Sequence, residues 1–162
     1  MFGSTGPWAA ACAAALGLAI SAGQAAAAPA CPNAGFVLVE PKASPETRPV
    51  KAGPKRTIFV RRTPITTITD LTEITLAGDG YDTAVQLKFT PEAARRLHDA
   101  TTDKDGLHIA FVVDDLAMSA VTWTGPYGMD ADLGVQLSLG GPVPEVRPIV
   151  EAVQGCIGPN AH

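Results

Sequence analysis

The sequence predicts an α+β fold: a mainly antiparallel sheet with one principal helix packed on one face, closed by a short C-terminal helix. Three observations carry this reading. Val85, Leu87 and Phe89 alternate with Gln86 and Lys88, a capped helical segment starts at Pro91, and a second alternating run, Leu107, Ile109, Phe111 and Val113, turns at Asp114-Asp115 into a third apolar strand. Strands, one helix and then more strands put the helix on one side of the sheet.

Residues 1 to 30 carry no charged side chain, and Trp8 to Ile20 is an apolar stretch of the length of a signal-peptide core, too short for a membrane span. Ala25-Ala26-Ala27 satisfies the small-x-small cleavage rule, so residues 1–29 are expected to be an export signal; either the free amino terminus supplies its only positive charge or Met1 is not the true start. Residues 30–56 are expected to be a Pro-rich N-terminal segment. Within it Phe36 to Glu40 is a short β-like run, and Pro41 to Pro54, with four prolines, reads as an extended connector. The folded domain is expected over 57–156, with 157–162 as a tail.

Inside that domain Thr57 to Arg62 is strand-like. Pro64 breaks it, Ile65 to Leu71 reads as a strand end or a short helical turn, and Glu73 to Ala77 resumes β character before the turn signal Gly78-Asp79-Gly80. After the strand at Val85, Thr90 is placed as an N-cap, Pro91 at the first helical position and Glu92 against the positive end of the helix dipole. Ala93, Leu97 and Ala100 share one helix face, while Glu92 with Arg96, and Arg95 with Asp99, stand four apart on the exposed side. Ala117 to Thr124 continues from the Asp114-Asp115 turn, Leu133 to Leu139 gives the last strand, and Pro144 to Val153 a closing helix limited by Pro148. His108, Ala110, Val112, Met118 and Ala120 point away from the expected core, leaving a mildly apolar second surface. Either the N-terminal segment covers it or it is a contact surface.

Once Cys12 leaves with the signal, Cys31 and Cys156 remain, near the two ends of the chain. In an oxidising compartment an even pair reads as a disulfide, worth about 4–5 kcal/mol on the chain-entropy account of so long a loop; two independent thiols are the alternative. The formal charge of −4 argues against nucleic acid as the main partner. Lys51, Lys55, Arg56, Arg61 and Arg62 nevertheless fall together, either as a solvated segment or as a basic face for an acidic partner or lipid headgroups.

No catalytic chemistry is legible, and neither a metal nor any other cofactor is expected. His98, His108 and His162 lack metal-ligand spacing. Asp114-Asp115 suits a hairpin turn better than acid–base work, and Ser119 and Ser138 have no identifiable base. Trp123, Gly125, Pro126 and Tyr127 form an aromatic loop that serves either to anchor a partner or to cap the core. Trp123, Tyr127, His108 and Met118 are therefore the candidate partner contacts.

From Val85 to Val121 the chain resembles the head part of the large periplasmic loop of SecD, the membrane subunit of bacterial protein export. Leu97-His98-Asp99-Ala100-Thr101 matches the end of that family's helix, and Ala110-Phe111-Val112-Val113-Asp114-Asp115 matches its hairpin. Ser119-Ala120-Val121 stands at a Ser-Ala-Pro, and Gly134 to Gly140 at its last strand. The resemblance extends over Thr57 to Val153. It implies a ferredoxin-like, SecD head-like layout and a stand-alone extracytoplasmic head that contacts emerging polypeptide. Asp115 replaces the family's turn glycine, where a positive φ is expected, and Val121 replaces its proline. The family's membrane helices have no counterpart here, so motor activity does not carry over. The expectation is a non-catalytic periplasmic or secreted domain, with no transmembrane segment after signal removal, that binds protein or peptide by a sheet face or edge, in connection with export-machinery components or envelope processes. A small-ligand module or an enzyme of unknown chemistry is the alternative, and a structural envelope component that self-associates is a third class.

Overall fold

The computed structural model describes residues 30–77, 83–124, 128–130, 134–139 and 143–157. The expected export signal, the Gly78-Asp79-Gly80 turn, Tyr127 and most of the C-terminal tail lie outside the described residues. In chain order the elements are β1 (Ala34–Glu40), β2 (Thr47–Lys51), β3 (Thr57–Arg61), a 3-10 turn (Ile68–Asp70), β4 (Leu71–Ala77), β5 (Ala84–Phe89), α1 (Pro91–Thr101), β6 (Leu107–Val113), β7 (Leu116–Trp123), β8 (Val135–Ser138) and α2 (Val143–Gln154). The fold is α+β. Its strands divide between a closed five-stranded barrel, ordered β1-β3-β2-β7-β6, and a separate three-stranded sheet, β4-β5-β8.

Two apolar cores follow from this division. Val37, Val50, Ile58, Val60, Ala110 and Val112 fill the barrel interior. The opposite faces of β1 and β6, bearing Ala34, Phe36, Ile109, Phe111 and Val113, meet β4, β5, β8 and both helices in a larger core. Alternation along a strand sends neighbours to opposite faces, so β6 contributes to both cores at once. Within the larger core Phe36, fully buried on β1, links barrel wall to sheet, with its ring 5.9 Å from Phe89 of the three-stranded sheet and 5.4 Å from Phe111 of β6. The second apolar surface expected from Ala110 and Val112 is therefore covered, by β1, β2 and β3.

The expected connector is where reading and structure part. Pro41 to Pro54 contains β2, which pairs with β3 from Thr47↔Arg61 to Lys51↔Thr57. Pro49 sits inside that strand because β2 is laddered along its length to β3 alone and meets β7 at a single residue pair, and a proline is tolerated on a strand edge that needs no N–H. A second difference lies at the β6–β7 turn. Asp114, not Asp115, carries the positive φ, at 52°. The left-handed residue accepts a hydrogen bond from Asn33 N–H on Oδ1 at 2.9 Å, and a short polar side chain is among the few that tolerate this conformation.

The Thr90 hydroxyl accepts from Ala93 N–H at 3.3 Å and starts α1. Ala93, Ala94, Leu97 and Thr101 are its buried residues, and the small alanines let it lie close to β5. Arg96 is exposed, as expected, and its ion-pair partner lies outside the helix. Arg96 reaches Asp70 at 2.7 Å and donates from Nε to the Ile65 carbonyl at 3.3 Å. Asp70 also accepts from Thr67 N–H at 2.7 Å, and its own carbonyl accepts from Thr90 N–H at 2.9 Å. The Asp70 carboxylate thus ties the barrel-to-sheet link to α1 through Arg96, and the Asp70 backbone carbonyl ties that link to the helix start. Burial is the strongest single influence on the carboxylate's titration and opposes ionisation. The Arg96 hydrogen bond, the Thr67 N–H and hydroxyl, and the attraction of the Arg96 charge together outweigh it and hold Asp70 below the ordinary carboxylate value.

Helix α2 runs through Pro148 and buries Val146, Val150 and Val153 against the larger core, and that packing offsets the hydrogen bond the proline removes. Just beyond it Cys156 forms a disulfide with Cys31, their Cα atoms 5.7 Å apart. The segment leading into β1 is thereby stapled to the chain just past the last helix.

Close approach at Gly35 sets the barrel's end. A Cβ there would collide with the Thr66 carbonyl and lie 3.2 Å from Thr67 Cα. The Thr66 segment is fixed by bonds from Phe36 N–H to Thr66 Oγ1 at 3.0 Å and from Ile65 N–H to the Phe36 carbonyl at 2.7 Å. Gly35→Ala is therefore expected to destabilise by about 2 kcal/mol, the range for overpacking against backbone, measured as a lower urea midpoint with an unchanged slope.

Because the folded Asp70 value is depressed, its contribution to stability is fully present above the unfolded value of about 4 and is lost as pH falls through the folded value. Asp70→Asn is expected to cost about 1 kcal/mol near pH 7, a partly exposed charge-assisted bond. The gap between variant and parent should narrow in urea titrations carried into acid; an unchanged gap contradicts the assignment.

Candidate functional site

Two features stand out on the barrel: a cleft at its end and an open strand edge on its side. The cleft is an open depression of about 390 Å³ lined by Asn33, Gly35, Arg48, Arg62, Thr66, Thr67 and Asp115, among others. Its charged groups have partners, Arg48 and Asp115 each other and Arg62 and Asp114 backbone groups. Arg48 Nη1 donates to the Asp114 carbonyl at 2.9 Å and to Asp115 Oδ1 at 2.8 Å, clamping the β6–β7 turn onto β2. Arg62 donates from Nε to the Pro45 carbonyl at 3.2 Å. The Thr66 hydroxyl accepts from Phe36 N–H, and that of Thr67 bonds Asp70 at 3.1 Å. These groups hold turns in place, and the arrangement pairs no nucleophile with a base. Among the described residues no three His, Cys, Asp or Glu side chains gather as metal ligands.

The open edge arises from how the barrel closes. β2 and β7 run parallel and pair only at Lys51↔Leu116, supported by a bond from Lys51 N–H to the Asp115 carbonyl at 2.8 Å. Beyond Lys51 the chain turns away through Gly53, at φ 106°, into the β2–β3 hairpin. β7 continues to Trp123. A register shift at Phe111/Val112 against Ser119 and Ala117 inserts Met118 as a bulge, which adds twist and carries β7 away from β2. From Met118 to Trp123, about 20 Å of strand, β7 is laddered to β6 on one side and to no strand on the other among the described residues. Ala120, Val121 and Thr122 are exposed along it, and Val121, at 37%, is the exposed large hydrophobic residue of the described chain.

The other outer edges differ. β8 is four residues long. On β4 the Gln154 side chain of α2 donates to the Ile74 carbonyl at 2.6 Å, occupying an edge acceptor. β7 thus offers a six-residue stretch, Met118 to Trp123, that no strand covers among the described residues, the form of edge that templates further strand pairing.

The candidate contact residues fall in different places. His108 is exposed, with Nδ1 2.9 Å from the hydroxyl of its cross-strand partner Thr122, beside the open edge. Trp123 ends that edge half-buried against the larger core, and its Nε1 is buried with no hydrogen-bond partner. Met118 turns inward, packing with Phe111, Val150 and Val153 around residual space of about 10 Å³, too small for a ligand. Ser119 is buried as well. Val121 and the backbone of β7 escape a reading of side-chain chemistry. The one sequence signal pointing to them is the Gly53-Pro54 turn, which ends β2 before it can cover β7.

No family model matches the sequence, and no curated protein sequence matches it. Among the described residues no helix is long and apolar enough to cross a membrane. Among solved structures the chain is similar to SecDF in its super-membrane-facing form, with a TM-score of 0.55 and 18% identity over 76% of this chain and 18% of that one. It is similar also to SecDF described as a membrane component that enhances protein export, with a TM-score of 0.54 and 18% identity over 76% of this chain and 62% of that one. The chain spans less than two-thirds of either, and at this identity the likeness is one of architecture: the fold is SecD-like.

Proposed function

We propose that this chain is a non-catalytic extracytoplasmic domain that binds polypeptide in connection with protein export, receiving an extended segment as an added strand on β7. The observation that carries the reading is the uncovered β7 edge with exposed Val121 at its centre. Strand addition draws affinity from main-chain hydrogen bonds, which every unfolded chain can make, and specificity from alternate side chains. That suits a partner recognised for being unfolded. The SecD-like fold, the role of SecDF as a membrane component that enhances protein export and the Cys31–Cys156 disulfide support the setting. The alternative, a small-ligand module or an enzyme, would use the barrel-end cleft, and the internal bonding of Arg48 and Asp115 leaves that cleft short of free recognition groups.

The test is hydrogen exchange on the disulfide-bonded protein with and without a permanently unfolded polypeptide. Slower exchange at Ala120–Thr122 is expected on binding. Val121→Asp should weaken binding about tenfold while leaving stability within about 0.5 kcal/mol, since the site is exposed. Protection confined to the barrel-end cleft, or no binding, overturns the proposal.

A further inference from the structure

We infer that the β7 edge selects extended segments that carry acidic residues at the end lying against the β2–β3 hairpin. This rests on the reading of β7 as a strand-accepting edge. Of the five cations grouped in the sequence, two are engaged: Arg61 bonds Glu40 at 2.6 Å, and Arg62 the Pro45 carbonyl. The other three, Lys51, Lys55 and Arg56, are exposed on or beside the hairpin tip, and none forms an ion pair among the described residues. Their nearest acidic neighbour in the ladder, Asp115, is turned to Arg48.

The position of the tip gives the cations a role. Lys51 is the last residue of β2 to pair with β7, and the tip formed by Ala52–Arg56, closed by a bond from Ala52 N–H to the Arg56 carbonyl at 2.7 Å, follows it where the β2–β7 ladder stops. A strand laid along Met118–Trp123 therefore runs end-on into three unpaired positive charges. At the far end, Gly106 N–H donates to the Trp123 carbonyl at 3.0 Å from the β6 side, so the loop bearing Asp103, Lys104 and Asp105 brings a net negative charge to that end of β7. The edge is electrostatically polar along its length, and a segment with acidic residues at the hairpin end matches it.

The experiment measures binding of short peptides alternating threonine and valine, carrying acidic residues at one end, lysines at the same end, or no charge. Acidic-ended peptide should bind about tenfold tighter than lysine-ended peptide, the sum of a few exposed pairs, and added salt should shrink the difference. The double variant Lys55→Glu with Arg56→Glu should invert the order. Equal binding of all three peptides, with protection at Ala120–Thr122, overturns the charge preference and leaves the edge reading standing. Binding of none overturns both. Co-sedimentation with phosphatidylglycerol vesicles that the double variant loses, with no preference among peptides, assigns the cations to a lipid surface and overturns the inference.

Discussion

Burial of β6 on both faces is the constraint on which this molecule depends. Ile109, Phe111 and Val113 point into the core shared with the three-stranded sheet, while Ala110 and Val112 point into the barrel. Each large side chain so buried contributes about 1.5–3 kcal/mol, and the two sets stabilise different layers through one backbone. Small Ala110 opposite Val37 lets the narrow barrel close, and large Phe111 opposite Phe36 fills the wider interlayer space. A slip of one residue in the β1–β6 register would exchange the two sets and empty one core while overfilling the other. Barrel and sheet cannot form independently, because the wall that separates them is common to both.

Barrel closure is the weak step in this design, and the open edge follows from it. A five-stranded barrel needs its last seam, and here the seam is one parallel pair backed by the Arg48 clamp on the β6–β7 turn. Extending β2 would need residues other than Gly53 and Pro54 after Lys51, and extending the contact from the β7 side would need the Met118 bulge removed. Both local features turn the strands apart. Val121 stands on the strand so exposed, at the position where the SecD-like pattern of Ser119-Ala120-Val121 has a proline. A proline on an edge removes a donor; valine leaves it in place.

Elements written in local sequence were legible, and elements that depend on pairing were not. The α1 cap at Thr90 and Pro91, the alternation of β5 and β6, and the α+β class all come from residues a few positions apart, and the structure has each of them. The strand β2 escaped because proline content signals a connector, whereas Pro49 is harmless on a strand laddered on one side only, which is a property of the neighbours. The positive φ was assigned to Asp115 by analogy with a turn glycine, yet the bond from Asn33 moves the left-handed residue to Asp114. That partner is 81 positions away. Met118 read as a contact because strict alternation placed it outward, and the bulge reversed it. Local pattern gives a side chain its face only while the ladder stays regular.

The same pairing makes the edge usable. A strand accepts another at little entropic cost only if it is already ordered, since fixing each backbone residue costs about 1–2 kcal/mol. β7 is ordered in advance by its ladder to β6, and β6 by both cores. The disulfide from Cys31 to Cys156 further ties the segment leading into β1, the neighbour of β6, to the chain just past α2. On the proposed reading, an added strand would therefore bear the ordering cost alone, and its main-chain hydrogen bonds to β7 would not depend on its sequence. An edge of this kind also invites unwanted pairing. Lys51, Lys55 and Arg56 at one end and the exposed, hydrogen-bonded Thr122 and His108 near the other hold its apolar content to Ala120 and Val121. On the proposed reading, rigidity would supply the affinity and the flanking charge would restrict which chains can use the edge.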